Sequence, residues 1–370
     1  MASSTEEGDT AAAAAEQLAS MSLGETAERR GENNEDAEKN EAQAKMCSAC
    51  EKKSDALMKC RACKCVWYCD KKCQNKHWKE HKNECKPIKK ALDKRGGKLD
   101  VGTELDVGPL EKPPPREECP ICMQVLPIHE NLQTYTYCCG KTLCGACDHQ
   151  HWLKTPEVRT EGGQIAVPRT CAFCRTAVPG SDEEMLAQLS KRVELKDPEA
   201  LKNLALCYGR GYYMDYGFGH QELPVDQAKC IELLRQSAGL GYPPAQYTLG
   251  NFYDDGAMGL EQNEAKALEY WEKAAEGGHL KARHNLGCTE DENGNENAAM
   301  RHWRVSASGG YKASMDALIS CFEGGFLHHE DLAETLQAMY RCRAELKSED
   351  RDKYIKHLKM TGEYEAEYEF

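Results

Sequence analysis

The sequence lacks a long apolar run: nowhere in its 370 residues is there the stretch of about 20 apolar residues that a membrane-spanning helix needs. Residues 1–45 also lack an apolar core flanked by basic residues, so we expect no secretion signal there. Positive charge is in short supply as well, because 61 acidic residues outnumber 48 basic ones and leave a formal net charge of −13. Since a large nucleic-acid interface needs a basic face, we expect neither a membrane nor a nucleic acid as a partner.

Several enzyme signatures are missing too. The chain contains no P-loop, no dinucleotide-binding G-x-G-x-x-G and no nucleophile-elbow G-x-S-x-G. The H-x-E…P-C-x2-C signature of zinc deaminases is also absent. We therefore assign no catalytic residue and no organic cofactor.

Cysteine, in contrast, is abundant, with 21 residues. Sixteen of them lie between Cys47 and Cys174, mostly in close pairs, and five are scattered singly. Because no secretion signal is expected, we interpret the paired thiols as reduced and bound to zinc, in the cytoplasm, the nucleus or both. The single cysteines are typical of small buried apolar residues and receive no role; they are Cys207, Cys230, Cys288, Cys321 and Cys342.

Two segments have the composition of unfolded or linking chain. Residues 1–45 are rich in Ala, Glu, Ser and Asn and have almost no aromatic or β-branched residues. Such a segment cannot bury enough apolar surface to offset the entropy of ordering, so we predict a disordered acidic arm. Residues 89–117 contain several glycines and the triple proline Pro113–Pro115, which predict an extended linker between two modules.

Eight ligand-type residues between positions 47 and 85 fall into four pairs. Each pair can supply half of a tetrahedral site, so the four pairs can hold two metal ions. Thiolates with an occasional imidazole favour zinc, and four protein ligands per ion leave no position for a substrate. The sequence therefore predicts a structural zinc module, with ligands Cys47 and Cys50, Cys60 and Cys63, Cys69 and Cys73, and His81 and Cys85.

The string Y-C-x3-C-Q-x3-W-x2-H-x3-C at positions 68–85 resembles the MYND finger, a small domain with two zinc ions, and we assign this module to residues 46–88. Cys65 and His77 are left over by this pattern, and we expect both to face solvent. The resemblance implies interleaved sites, with Cys47, Cys50, Cys69 and Cys73 on one ion and Cys60, Cys63, His81 and Cys85 on the other.

MYND fingers bind short proline-rich peptides of partner proteins, and the resemblance implies the same use here. Gln74 and Trp78 occupy the positions at which such domains have a peptide-facing groove. A tryptophan can bury against a preformed proline helix at little entropic cost. The alternative is that Trp78 only packs the interior of a small domain that needs every apolar residue it has.

Eight cysteines between positions 119 and 174 also suggest two zinc ions. The strings C-P-I-C at 119–122 and C-A-F-C-R at 171–175 resemble a RING finger of the all-cysteine kind, which we assign to residues 118–178. Lys141 stands where the usual histidine would be, and lysine is not a normal zinc ligand. Because neighbouring residues rarely reach one ion together, His149 or His151 is an alternative to one of the adjacent cysteines. The cysteines are Cys119, Cys122, Cys138, Cys139, Cys144, Cys147, Cys171 and Cys174.

RING fingers have no nucleophile of their own; they recruit a ubiquitin-conjugating enzyme and orient it, so the resemblance implies ubiquitin-ligase activity. Ile121 holds the position that contacts that enzyme, and Arg175 holds that of a basic residue that can hydrogen-bond the ubiquitin–enzyme pair. The long polar stretch 148–170 can alter this docking surface, so a purely structural zinc fold is the alternative. The resemblance also implies cross-braced sites, one of Cys119, Cys122, Cys144 and Cys147, the other of Cys138, Cys139, Cys171 and Cys174.

From about residue 197, Gly, Ala, Leu and Tyr recur at fixed offsets, which is the signature of stacked helical repeats. Small residues let antiparallel helices approach closely, and units that cannot bury their apolar face alone stack into a solenoid. The pattern resembles Sel1-like repeats, relatives of the tetratricopeptide repeats, over 197–345, with a helical, charged tail at 346–370. An ordinary all-α domain is the alternative. The two clearest copies lie 37 residues apart and begin with Ala245, Leu249 and Gly250 and with Ala282, Leu286 and Gly287.

These features predict a modular adaptor inside the cell: a disordered arm, two small zinc-stabilised modules and an all-α solenoid, with four zinc ions in all. We expect proline-rich peptides at the MYND-like finger, a ubiquitin-conjugating enzyme at the RING-like finger and an unidentified protein on the solenoid. The leading hypothesis is a RING-type ubiquitin ligase. The alternatives are a non-enzymatic zinc-finger scaffold and a transcriptional cofactor.

Overall fold

The computed structural model describes residues 45–156, 158–159, 165–166, 169–210 and 224–363. Contacts divide them into two units. One comprises the described residues up to Cys60 together with Trp67–Trp78, and the other comprises Arg61–Val66 together with the described residues from Lys79 onwards. The arm predicted for residues 1–45 lies, apart from Lys45, outside the described residues. None of the described helices is both long enough and apolar enough to cross a membrane.

A short hairpin and the start of a long helix form the first unit. Strands β1 (Met58–Lys59) and β2 (Trp67–Tyr68) pair antiparallel. Helix α1 (Lys71–Lys94) begins after Asp70, whose carboxylate accepts a hydrogen bond of 2.8 Å from the Cys73 backbone amide. This side chain satisfies one of the amides that the first helical turn leaves unpaired, and so defines where the helix begins.

Residues 118–178 contain two hairpins and a helix between their cysteine pairs. The elements are β3 (Gln133–Thr136), β4 (Lys141–Cys144), α2 (Gly145–Lys154), β5 (Val158–Arg159) and β6 (Ile165–Ala166). β3 pairs antiparallel with β4, and β5 with β6. The polar stretch noted at 148–170 therefore includes most of α2 and both strands β5 and β6.

Ten helices follow in the described part of the chain. They are α3 (Asp182–Glu194), α4 (Pro198–Arg210), α5 (Gln227–Gly239), α6 (Pro243–Asp255), α7 (Glu264–Glu276), α8 (Leu280–Glu292), α9 (Glu296–Ser308), α10 (Lys312–Gly324), α11 (His329–Glu345) and α12 (Glu349–Thr361). The closest packing is between α4 and α5, α6 and α7, and α8 and α9, and each pair also packs on the next. This stack of helix pairs confirms the repeat architecture. Residues 211–223, between α4 and α5, lie outside the described residues.

Small residues set the spacing of these helices. Ala245 and Leu249 on α6 are fully buried, and the neighbouring Gly250 faces the indole of Trp271 on α7. Gly287 on α8 faces Trp303 on α9 in the same way, one repeat later. A glycine opposite a tryptophan lets two helix backbones approach more closely than any larger residue would allow, which is the physical basis of the sequence period.

Helices α3 and α12 flank the repeats. No structure was predicted for residues 179–196, yet α3 buries Met185 and Leu189 against the first repeat. The signal was present, because the Ser181 hydroxyl accepts a hydrogen bond from the Glu184 amide, as in an S-x-x-E capping box. The predicted helical tail includes α12, which packs on α2. The rings of His149 and His357 lie with centroids 4.3 Å apart and planes tilted by 32°.

The stretch predicted as a linker, 89–117, begins with the last turns of α1 and then follows the repeat helices. Side chains of α9 donate hydrogen bonds to its backbone carbonyls. Asn297 donates to Asp106 at 2.7 Å, Arg301 to Val107 at 3.3 Å and Arg304 to Gly108 at 2.6 Å. Because these contacts use backbone acceptors, they hold an extended chain in place without depending on its side chains.

Replacing Gly287 by alanine should destabilise the repeats. The added methyl group would lie 2.5 Å from Trp303 Nε1, and Trp303 is buried and hydrogen-bonded to the His284 carbonyl at 3.2 Å. Overpacking of this kind costs about 1–3 kcal/mol, which exceeds the roughly 1 kcal/mol that alanine gains over glycine in a helix. We expect a lower denaturant midpoint for Gly287→Ala, measured by circular dichroism with zinc present.

Gly239→Ala is the matched control, because a methyl group at that helical glycine meets no atom within 4 Å. We expect its midpoint to be unchanged or slightly raised. Equal losses in both variants would show that glycine at position 287 is not required for close packing.

Candidate metal centres

The first finger site is formed by Cys47, Cys50, Cys69 and Cys73, whose sulfur atoms all lie within 4.8 Å of one another. Cys50 Sγ is 3.5 Å from Cys69 Sγ and 3.8 Å from Cys73 Sγ. Four sulfurs bound tetrahedrally at the usual zinc–sulfur distance would be about 3.8 Å apart. The spacing of the thiols therefore fits a zinc ion.

The second finger site groups Cys60, Cys63, His81 and Cys85, all of them buried. His81 Nε2 is 3.4 Å from Cys63 Sγ, so this ring nitrogen faces the sulfur ligands. His81 and Cys85 are four residues apart on α1, and such residues lie on the same side of a helix, one turn apart. Both finger groups contain the four residues that the MYND resemblance implies.

Cys65 and His77 were expected to face solvent, and this expectation is wrong. Cys65 is 0% exposed and His77 is 5% exposed. The Tyr68 hydroxyl lies 3.0 Å from His77 Nδ1, and Cys65 Sγ lies 3.4 Å from His329 Nε2. Neither residue is in a metal group of the described chain. His77 is buried beside Tyr68 and Cys65 beside His329 of α11, and ligand spacing alone cannot indicate either contact.

Trp78 and Gln74, the residues assigned to a peptide groove, lie one turn apart on α1. Trp78 is 43% exposed, and Gln74 is half-buried. A large aromatic side chain that keeps this much accessible surface is available to a ligand. If Trp78 only packed the interior of the finger, that role would explain the buried part of its ring but not the exposed part.

The second zinc module also contains two groups of four cysteines. Cys122 and Cys144 have their sulfurs 3.8 Å apart in one group, and Cys138 and Cys174 have theirs 3.3 Å apart in the other. These distances fit a tetrahedral zinc site as the finger distances do. The groups are Cys119, Cys122, Cys144 and Cys147, and Cys138, Cys139, Cys171 and Cys174.

The structure brings Cys138 and Cys139 into the same group, although neighbouring residues rarely reach one ion together. They lie in the tight turn between β3 and β4, where Gly140 has a φ of +65°, and Cys139 Sγ is 4.0 Å from Cys171 Sγ. His151 is instead held by Thr170, with 3.0 Å between Nε2 and the hydroxyl oxygen. His149 lies against the His357 ring, with the ring planes tilted by 32°. Neither His149 nor His151 lies in a metal group of the described chain, and Lys141 is exposed on β4.

The crowded thiols repel one another's negative charge. The pKa of Cys69 rises to about 11, chiefly through its hydrogen bond with the neighbouring Cys50. The pKa of Cys144 also rises to about 11, chiefly through its hydrogen bond with Cys119. Four thiolates at such distances need a divalent cation to offset their charge, and a bound zinc ion deprotonates its thiol ligands outright. The groups therefore have the chemistry of zinc sites with four protein ligands and no open position.

Ile121 and Arg175 both lie at the surface of the second module. Ile121 is 40% exposed between two ligand cysteines. Arg175 is exposed and has a φ of +65°, and its guanidinium lies 2.7 Å from His151 Nδ1. Arg175 is therefore engaged within the module, a contact that the sequence did not indicate.

Comparison with known families agrees with this geometry. Residues 47–85 match the MYND finger family, and residues 198–242 and 243–279 match the Sel1 repeat family. The chain thus contains a MYND finger and two Sel1 repeats, which confirms both resemblances over these ranges. With four groups of zinc-binding side chains and a helical repeat region, it belongs to the class of zinc-binding protein-interaction modules.

The individual relatives share short segments with this chain. It is 35% identical over 85 residues to the chitin synthase regulator SKT5 of Malassezia restricta, a match that covers 23% of this chain and 5% of the relative. It is 47% identical over 45 residues to the histone-lysine N-methyltransferase Smyd1 of Mus musculus, covering 12% and 9% respectively. The histone-lysine N-methyltransferase ASHR1 of Arabidopsis thaliana is 48% identical over 42 residues, covering 11% and 8%. The chain thus spans less than a tenth of the length of these proteins.

Among solved structures, the protective antigen c5321 of uropathogenic Escherichia coli, described as an SLR fold, is 25% identical. That match covers 48% of this chain and 36% of the antigen, with a TM-score of 0.35. A Sel1 repeat protein from Oxalobacter formigenes is 26% identical and covers 36% of this chain and 97% of its own, with a TM-score of 0.31.

Zinc content should distinguish the ligands of the second module. We expect four zinc ions per chain in the parent and close to three in Cys139→Ala, because that thiol completes a group of four. His151→Ala should retain four, since His151 is bonded to Thr170 and Arg175 instead. Elemental analysis of purified, folded protein checks this. Loss of an ion from His151→Ala with none from Cys139→Ala would assign the ligand the other way.

Proposed function

We propose that this protein is a ubiquitin ligase of the RING type, which recruits a ubiquitin-conjugating enzyme through residues 118–178. The finger and the repeats would select the proteins to be modified. The observation that carries the proposal is the order of the metal groups: the first cysteine pair joins the third, and the second joins the fourth. This interleaved order is the one that the RING resemblance implies.

The surface of the same module supports recruitment of a protein partner. Four large apolar residues are well exposed there: Ile121 at 40%, Met123 at 68%, Leu153 at 66% and Phe173 at 44%. Ile121 and Met123 belong to the first zinc knuckle, and Phe173 belongs to the last. Several exposed apolar side chains on one small module favour a protein-binding surface, because water solvates them poorly.

A ligase of this kind holds its partner rather than performing the chemistry. The zinc groups have no open coordination position, so they act as rigid supports for Ile121 and its neighbours. Arg175 Nη1 lies 2.7 Å from His151 Nδ1, which leaves the other N–H donors of the exposed guanidinium to hydrogen-bond the ubiquitin–enzyme pair.

Ile121→Ala should separate ligase activity from zinc binding. Truncating an apolar side chain at the centre of an interface typically costs more than 1 kcal/mol, so we expect at least about fivefold slower ubiquitin-chain formation. The assay is autoubiquitination by the zinc-loaded full chain with a panel of conjugating enzymes. Leu195→Ala is the control, because Leu195 is 69% exposed but lies at the end of α3, outside the second zinc module.

Chains formed by the parent and by Leu195→Ala, but not by Ile121→Ala, would support the ligase. Equal activity in all three would show that Ile121 does not contact the conjugating enzyme. If the parent itself forms no chains with four zinc ions bound, the ligase proposal fails.

A non-enzymatic scaffold is the second candidate, and two observations favour it. Arg175 is occupied by His151, and α2 with the second hairpin adds structure where a docking surface would lie. In that case both zinc modules would only bind or present peptides. A transcriptional cofactor is a special form of this candidate, in which the bound partner acts on transcription; tethering the chain to a reporter promoter would reveal it.

Peptide binding by the finger is part of either function. Trp78 is 43% exposed on α1, one turn from Gln74, and a proline-rich segment is already extended, so it loses little entropy on binding. A cytoplasmic or nuclear location suits this role, since zinc binding needs reduced cysteines and none of the 21 cysteines forms a disulfide.

Trp78→Ala should weaken binding of proline-rich peptides by roughly thirtyfold or more, the usual effect of removing a tryptophan at a binding hot spot. Fluorescence anisotropy with labelled proline-rich peptides measures it. Asn75→Ala, at an exposed position on the same helix, should bind like the parent. A Trp78→Ala variant that binds normally but melts earlier would assign Trp78 to packing alone.

A further inference from the structure

A side chain of helix α11 lies next to His81 of the second finger site. Tyr340 on α11 lies with its hydroxyl oxygen 3.1 Å from His81 Nδ1, the ring nitrogen opposite the one that faces the sulfurs. The rings meet edge to face, with centroids 6.0 Å apart. His81 is fully buried and Tyr340 is 5% exposed, so bulk water does not compete for this contact.

The direction of this hydrogen bond follows from what lies beyond Tyr340. The Tyr340 hydroxyl donates to Glu84 Oε2 at 2.9 Å, and Arg343 donates to Glu84 Oε1, also at 2.9 Å. A carboxylate paired with an arginine can only accept, so the single hydroxyl proton of Tyr340 is committed to Glu84. The hydroxyl oxygen must then accept a proton from His81 Nδ1.

A proton on Nδ1 leaves the lone pair of His81 on Nε2. That nitrogen lies 3.4 Å from Cys63 Sγ, on the side of the metal group. Only the neutral tautomer with a free Nε2 can bind zinc there. Groups hydrogen-bonded to a metal-binding histidine fix its tautomer and its orientation. A series of hydrogen bonds therefore prepares the imidazole as a ligand; it runs from Arg343 through Glu84 and Tyr340 to His81.

Helix α11 also contacts the backbone of the segment that contains Cys63. His329 Nε2 lies 2.9 Å from the Cys63 carbonyl oxygen, and Gln337 donates to the Cys65 carbonyl at 2.8 Å. Glu84 and Arg343 are 2% and 3% exposed, so their ion pair is screened little by solvent. Helix α11 thus contacts both the segment 63–65 and the His81 side chain.

We infer that Tyr340 is a positioning residue for the Cys60–Cys63–His81–Cys85 zinc site, so that helix α11 sets how tightly this ion is held. The inference is independent of the proposed ligase activity. Zinc in this site and the seating of α11 are linked, and each stabilises the other. The other three groups contain cysteine alone, so this dependence is specific to one ion of four.

Tyr340→Phe tests the inference in the full chain, because it removes the hydroxyl and keeps the ring. We expect the mixed cysteine–histidine site to lose affinity by about 10- to 100-fold, the usual effect of removing a hydrogen-bond partner of a metal ligand. Zinc transfer to a chromogenic chelator should show one early ion followed by three at the parent rate. Cobalt substitution identifies that ion, because a three-sulfur, one-nitrogen site has a ligand-field spectrum distinct from that of four-sulfur sites.

Tyr253→Phe is the matched control. Tyr253 is 6% exposed in the repeats, and its hydroxyl accepts a hydrogen bond from Arg235 at 3.0 Å, away from every metal group. This variant should release its four ions like the parent. Parent-like release from Tyr340→Phe, or equal acceleration of all four ions in it, would overturn the inference, since the first denies any role and the second indicates general unfolding.

Discussion

Mutual repulsion among clustered thiolates is the constraint on which the rest of this structure depends. Each group gathers four ligand atoms within 4.8 Å, a distance at which ionised sulfurs repel strongly. A divalent cation offsets this negative charge, so the thiols can ionise and bind it. The bound ion then links the four ligand residues to one another. Modules with short hairpins and few buried apolar residues fold only when they bind the metal. Ile121 and Trp78 can remain exposed because zinc, rather than an apolar core, supports these modules.

The repeats supply a different kind of order. Their helices pack through glycine and alanine against tryptophan, and their polar side chains hold extended backbone nearby. Arg304 shows both aspects: it is 1% exposed, and it bonds the Gly108 carbonyl as well as Thr335 and Glu334 on α11. A buried guanidinium needs this many acceptors to offset its lost hydration. The solenoid therefore binds another segment of its own chain, and this contact requires no partner protein.

Most of the metal chemistry was readable from spacing. Cysteine pairs three residues apart, and ligands four residues apart on a helix, are local geometry, so the sequence predicts them directly. The helical period was equally local. The burial of Cys65 and His77 was not, because it depends on Tyr68 and on His329, which lies more than two hundred residues further along the chain. The helix at Asp182–Glu194 was missed although Ser181 and Glu184 mark its start, since no repeat signature covers it.

Residue type at short spacing was enough to predict most of the metal ligands, the number of ions they can hold and the stacked helices of the C-terminal part. The three-dimensional fold sets which ring nitrogen of His81 carries the proton, that the exposed Arg175 contacts His151, and that Cys138 and Cys139 share a group. Those outcomes depend on groups brought together from distant parts of the chain, or on the exact turn of a backbone, and a linear pattern records neither.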